Sequence, residues 1–181
     1  FTTGKITTGV NNLIVGSAGT AVSGAGAGKY VYGNMQKVFA AGTPSYSFPV
    51  GDASVYAPVD LAFTALGTGG NVTVKTTGSE HGSIATSNID PSKSVNRYWT
   101  LTPSGIASYN YNAIFNFVAG DLDSGPPATG SFIVGKNDAG TWSYPTVGTK
   151  NPTNTQATGM TTMSDFAIGE GVPHTVTFNA N

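Results

Sequence analysis

The side chains able to do chemistry are few and scattered along the chain. Glu80-His81 is the one place where a carboxylate and an imidazole are adjacent. An imidazole steered by an acid acts as a general base only when a nucleophile is within reach. The sequence shows no Ser-His-Asp arrangement around it, and the second histidine, His174, has no metal-ligand spacing to the first. The pair therefore reads as structural or simply exposed. Gly120-Asp121-Leu122-Asp123-Ser124-Gly125 places two carboxylates at i and i+2, a spacing that lets oxygens converge on a hard cation such as Ca2+. The further ligands and distal glutamate of an EF-hand loop are missing, so Asp121 and Asp123 are read either as calcium ligands or as part of an Asx-rich turn. No other cofactor is expected. Arg97, the sole arginine, sits beside Tyr98 and Trp99. It reads as a ligand-binding guanidinium or, preferably, as a structural charge tied to a carboxylate or carbonyls, with Trp99 as a core anchor. Trp142 and Tyr144, two apart, would share one face of a short hairpin, as a platform against a sugar ring or as core packing. Asn71-Val72-Thr73 also fits a glycosylation sequon.

These residues have to be positioned by strands. In Ser94–Pro103, Val95, Arg97, Trp99 and Leu101 fall on one face and Asn96, Tyr98, Thr100 and Thr102 on the other, the two-residue period of a strand. This is the expected central strand. Tyr109–Val118 alternates most cleanly, with Tyr109, Tyr111, Ala113, Phe115 and Phe117 inward, and is placed beside it. Tyr30–Phe39 puts Val31, Met35 and Phe39 on one side around Gly33, a candidate bulge. Pro49 and Pro58 mark edges or strand starts, after which Leu61, Phe63 and Ala65 face a core and Val72 and Val74 follow. Residues 77–93 read as a long loop, Phe132–Lys136 and Thr141–Tyr144 as a hairpin, and Lys150–Ala157 as a polar loop. Asp165–Glu170 and Thr175-Val176-Thr177-Phe178 are the last strands.

No segment carries the 3.6-residue apolar period of a helix. The chain reads as all-β, an antiparallel two-sheet sandwich of jelly-roll or immunoglobulin-like type. Residues 29–170 form the sandwich, and residues 171–181 a terminal strand or a linker to a following module. Residues 1–28 form an N-terminal extension, in which Lys5–Thr8 and Asn12–Val15 are short strands, either a solenoid-like rung or an edge hairpin.

Composition narrows the function classes. Charged residues make up 9% of the 181, against roughly 25% in an average soluble domain, so solubility rests on hydroxyls and amides. Such neutral surfaces suit secreted or fibre-forming proteins. A net charge of −1 from scattered single charges offers no stripe for nucleic acid. The apolar runs are too short to cross a bilayer, so membrane insertion is not expected. Without cysteine there are no disulfides or thiol chemistry. The chain opens at Phe1 with no signal peptide, which reads as a processed or excised piece of something longer.

The phrases YVYGNMQKVFAAG, FPVGD followed by YAPVDL, SVNRYWTL, FNFVAGDLDSG, FIVGKNDAGTW and SDFAIGE occur in this order. Together they resemble a module of large secreted surface proteins of Gram-negative bacteria, notably those exported by the type IX system. The resemblance runs over most of residues 1–170 and rests on sheet-and-turn phrases. It implies a structural or adhesive, non-enzymatic building block of a surface protein or fibre, with no active site to carry over. The stretch before YVYGN resembles the end of a Gly/Thr-rich solenoid. The final HTVTFNAN resembles the opening of an internalin-type B repeat, and stops at Asn181 either inside a second module or as a strand used by a neighbour. The expected partners are other copies, through Thr175, Val176, Thr177 and Phe178 by strand addition, or neighbouring modules. The alternative is a carbohydrate-binding module that meets surface glycans through Trp142 and Tyr144.

Overall fold

In the structure, a computed structural model, residues 1–125 and 127–173 are described. His174 and the expected assembly strand Thr175, Val176, Thr177 and Phe178 lie outside them. The strands are β1 (Ile6–Val15), β2 (Val31–Phe39), β3 (Ser45–Phe48), β4 (Val50–Gly51), β5 (Val59–Thr68), β6 (Gly70–Thr77), β7 (Ile89–Ser104), β8 (Ala107–Asn116), β9 (Phe132–Asp138), β10 (Thr141–Ser143), β11 (Thr146–Asn151), β12 (Asn154–Met160) and β13 (Asp165–Gly171). They make a β-sandwich. The large sheet runs β1-β2-β6-β7-β13-β9-β10, with β4 beside β2, and the small sheet runs β11-β12-β8-β5-β3. One core fills the space between them. Val31, Met35, Val74, Trp99, Leu101 and Phe166 come from the large sheet, and Phe48, Leu61, Phe63, Tyr111 and Phe115 from the small one.

The alternation predicted for Ser94–Pro103 holds: Val95, Arg97, Trp99 and Leu101 are all buried, and β7 lies mid-sheet. Its neighbours differ from the expectation. β7 pairs with β6 and β13, while β8 lies in the opposite sheet between β5 and β12. The Trp99 and Phe115 rings meet across the core with centroids 5.3 Å apart.

The physical reason is a corner where the chain changes sheets three times: between β2 and β3, between β5 and β6, and between β7 and β8. Backbones pass there too closely for side chains. A Cβ on Gly70 would stand 2.6 Å from the Ser104 carbonyl oxygen, and one on Gly69 would stand 2.6 Å from that of Phe39. Gly105 has φ +76°, which glycine adopts without strain.

Other elements also differ from the sequence reading. The N-terminal stretch is one bulged strand pairing parallel to β2, which makes the large sheet mixed. The extra residues lie on β1 opposite Gly33 and Asn34, and the Asn34 N–H donates to the Thr8 hydroxyl at 2.8 Å. Residues 16–30 connect the two parallel strands, with the Gly16 and Ser17 carbonyls on Lys37 and the Ser23 carbonyl on the Phe1 amine. Phe1, Leu13, Val15 and Val22 pack on the main core. β7 begins at Ile89, inside the expected loop, and Lys150–Ala157 belongs to the β11–β12 hairpin. A register shift between Phe63 and Ala65 turns Leu66 inward in place of Ala65. The β9–β10 turn is as expected, with Ala139 and Gly140 at φ +49° and +97°, the handedness of a tight two-residue hairpin.

Candidate functional site

Arg97 is 1% exposed and its fork is filled. Nε donates to Asp121 Oδ2 at 3.0 Å, Nη2 to Asp121 Oδ1 at 2.9 Å, and Nη1 to the Thr76 hydroxyl at 3.2 Å. Nη2 also lies 2.7 Å from Asp52 Oδ2. Asp121 reaches inward because it ends a 3₁₀ turn, Ala119–Asp121, where its Oδ2 also accepts the Val118 N–H. Asp52 Oδ1 accepts the N–H groups of Ser54 and Val55 at 2.7 and 2.8 Å. Burial alone would raise the Asp52 pKa, but these two N–H groups and Arg97 together outweigh it and hold the carboxyl below its ordinary value. For Arg97, burial favours the neutral guanidine, and Asp121 and Asp52 reverse this and raise its pKa. A cleft of about 560 Å³ opens beside this knot, with Tyr32, Lys75 and Gly78 on its walls. Each guanidinium nitrogen of Arg97 and each carboxylate oxygen of Asp121 has a protein partner.

Asp121 and Asp123 do not converge. Asp123 Oδ2 accepts the Ser94 N–H at 2.7 Å and Oδ1 the Asn96 side-chain amide at 2.8 Å, away from the pair Asp121 makes with Arg97. Among the described residues no three His, Cys, Asp or Glu side chains gather as a metal ligand set. The two carboxylates fasten the 118–123 segment to β7.

Glu80 and His81 part company. Glu80 Oε1 accepts the Ser94 hydroxyl at 2.5 Å. The His81 ring is wedged edge-on between Tyr98 and Trp142, with centroids 5.1 and 5.2 Å away. Its Nδ1 accepts the Ser83 N–H at 3.2 Å, which places the proton of the neutral ring on Nε2, 3.3 Å from Asp165 Oδ2. Both ring nitrogens are thus engaged, and neither is left to take a proton from a hydroxyl nucleophile. Trp142 is drawn into the same packing, its Nε1 donating to the Ser83 carbonyl and the Thr86 hydroxyl at 3.2 Å each. Tyr144 lies just past β10, 37% exposed, with its hydroxyl accepting the Asn88 N–H. The two rings pin the 83–88 loop to the β9–β10 hairpin.

The sequence reading passed over three of these fasteners. Asp52 and Thr76 complete the Arg97 knot. Lys37 is buried in β2 with its Nζ donating to the Gly16 and Ser17 carbonyls at 2.6 and 3.1 Å, and burial lowers its pKa. Parity alone would have found it, since Lys37 falls on the inward side with Met35 and Phe39. Comparison with known proteins finds no matching family, no matching curated relative and no matching solved structure.

Proposed function

We propose that this chain is a non-enzymatic structural and adhesive module of a secreted or cell-surface protein. It serves as a building block whose terminal strand, Thr175–Phe178, adds to the sheet of a neighbouring copy. The observation that carries this reading is the fate of the reactive side chains. Arg97, Asp52, Asp121, Asp123, Glu80, His81 and Asp165 are spent on one another or on nearby backbone and hydroxyl groups. A site built for catalysis keeps at least one such group poised toward its substrate. Here they act as girders of a rigid frame, and a neutral, hydroxyl-rich surface suits an exported frame.

Light scattering of the full chain against a variant ending at Pro173 tests the reading. The full chain is expected to form concentration-dependent oligomers and the shortened one to stay monomeric with an unchanged melting curve. A full chain that stays monomeric at all concentrations, or equal oligomer size for both, would overturn it.

A further inference from the structure

The four sheet edges are protected to very different degrees, and the difference identifies an acceptor. A sheet edge presents unpaired N–H and C=O groups, which natural proteins blunt by short strands, proline, charge or bulges. β3 is four residues long between Pro44 and Pro49. β10 is three residues long, ends before Pro145 and carries the 83–88 loop on Trp142. β11 has six residues and carries Lys150. β1 has ten residues with neither charge nor proline, pairs among the described residues with β2 alone, and exposes Val10 (94%), Ile14 (60%) and Ile6 (42%). Its register against β2 shifts twice between Thr7 and Asn12, and its other edge has no strand partner among the described residues.

We propose that the outer edge of β1 is the docking edge of the module, and that its occupant is the Thr175–Phe178 segment of a second copy. This rests on the self-association reading above and names where the added strand binds. An open edge recognises extended backbone through its main-chain hydrogen bonds, and alternate side chains set the fit. Thr-Val-Thr-Phe is uncharged and alternates polar with apolar, so it meets the uncharged β1 with no charge to desolvate. The occupant comes from another copy for reasons of reach. β13 is separated from β1 by β7, β6 and β2, four strand spacings or about 19 Å. Phe178 stands five residues beyond Pro173, at most about 18 Å even when fully stretched, and Thr175 much closer. The segment therefore cannot lie along β1 of its own chain.

Complementation tests this. Val10→Lys with Ile14→Lys places two charges on the docking edge at side chains that are mostly exposed, so the fold and its melting curve are expected to persist. The double variant keeps its donor strand, and the chain ending at Pro173 keeps its acceptor edge. Each alone is expected to be monomeric by light scattering, and the mixture to form a one-to-one heterodimer that grows no further. If the double variant assembles like the unaltered chain while the shortened chain does not, the acceptor is another surface and this inference is overturned, with the self-association reading intact. If the unaltered chain never assembles, both fall.

Discussion

The Arg97 knot is a buried charge that the fold can keep only while its partners are present. Removing one partner of a buried pair strands the other. Asp121→Ala is expected to cost about 3 kcal/mol in urea unfolding, the lower end of that penalty because Asp52 remains. Asp52 also makes the knot pH-dependent. Its carboxyl is more acidic in the folded chain than in the unfolded one, so its contribution is complete above the unfolded value near pH 3.9. As the pH falls past that value the unfolded chain takes up the proton first, and stability drains until the folded carboxyl is protonated too. Urea midpoints measured from about pH 6 to about pH 2 are expected to fall less steeply for Asp52→Asn than for the unaltered chain in the acid part of that range. The need for a partner was legible in the sequence, because a lone arginine among inward apolar residues must be neutralised. Which carboxylates supply it was not, since Asp52 and Asp121 are brought to β7 from remote turns by topology. The Asp121/Asp123 spacing was legible too, but spacing does not say which way each carboxylate faces.

At the level of the elements, the strands that the sequence made plain are those with one face in the core. β8 shows this best, with Tyr111, Ala113 and Phe115 inward as the alternation predicts, and Phe117 just past its end buried too. Where both faces are wet, as in β11, or where a bulge resets the period, as in β1, alternation carries no signal for the strand. The separation of β7 from β8 is hidden for a third reason: a short connection suggests a hairpin unless the backbone crosses between sheets, and only the packing of the corner reveals the crossing. Gly70→Ala tests that corner. Its added methyl meets backbone rather than a yielding side chain, so a loss of about 2 kcal/mol is expected, read as a drop of about 4–8 °C in Tm. Gly120→Ala, where an added Cβ meets nothing within 4 Å, is expected to stay within about 0.5 kcal/mol of the unaltered chain. The inward tyrosines of β3 and β8 set the alkaline limit. Burial raises the phenol of Tyr46, and raises that of Tyr111 further, where the hydroxyl donates to the Thr162 carbonyl at 2.9 Å. Their contribution is intact below the unfolded value near pH 10 and is lost as the pH climbs toward the folded values. Phenolate absorbance is expected to rise together with unfolding, and Tyr111→Phe to flatten that alkaline loss at a cost of about 1 kcal/mol for the missing hydrogen bond.

For the whole molecule, stability should grade from the middle of the large sheet to β1, the edge proposed for docking. β7 has a bonded strand on each side and a fully buried face anchored by Trp99, whose indole donates to the Ala57 carbonyl at 3.3 Å. Its amides can exchange with solvent only when the sandwich opens as a unit. Among the described residues β1 is held on one side only, interrupted by its bulge, and tied to the core by a few partly buried residues such as Leu13 and Val15. Local opening there requires little apolar surface to be exposed, and such regions sit at the low end of the free-energy range of native-state openings. Hydrogen exchange on the chain ending at Pro173 is expected to show β1 amides exchanging by local fluctuation, insensitive to low denaturant, while β7 amides track global unfolding. In the proposed assembly of the unaltered chain, the outward amides of β1 are expected to slow because a docked strand bonds them, while those of β3, β10 and β11 stay unchanged. Protection appearing at one of those three edges instead would place the contact there, and β1 amides as slow as those of β7 in the monomer would mean that the first strand is part of the rigid frame and not its open side.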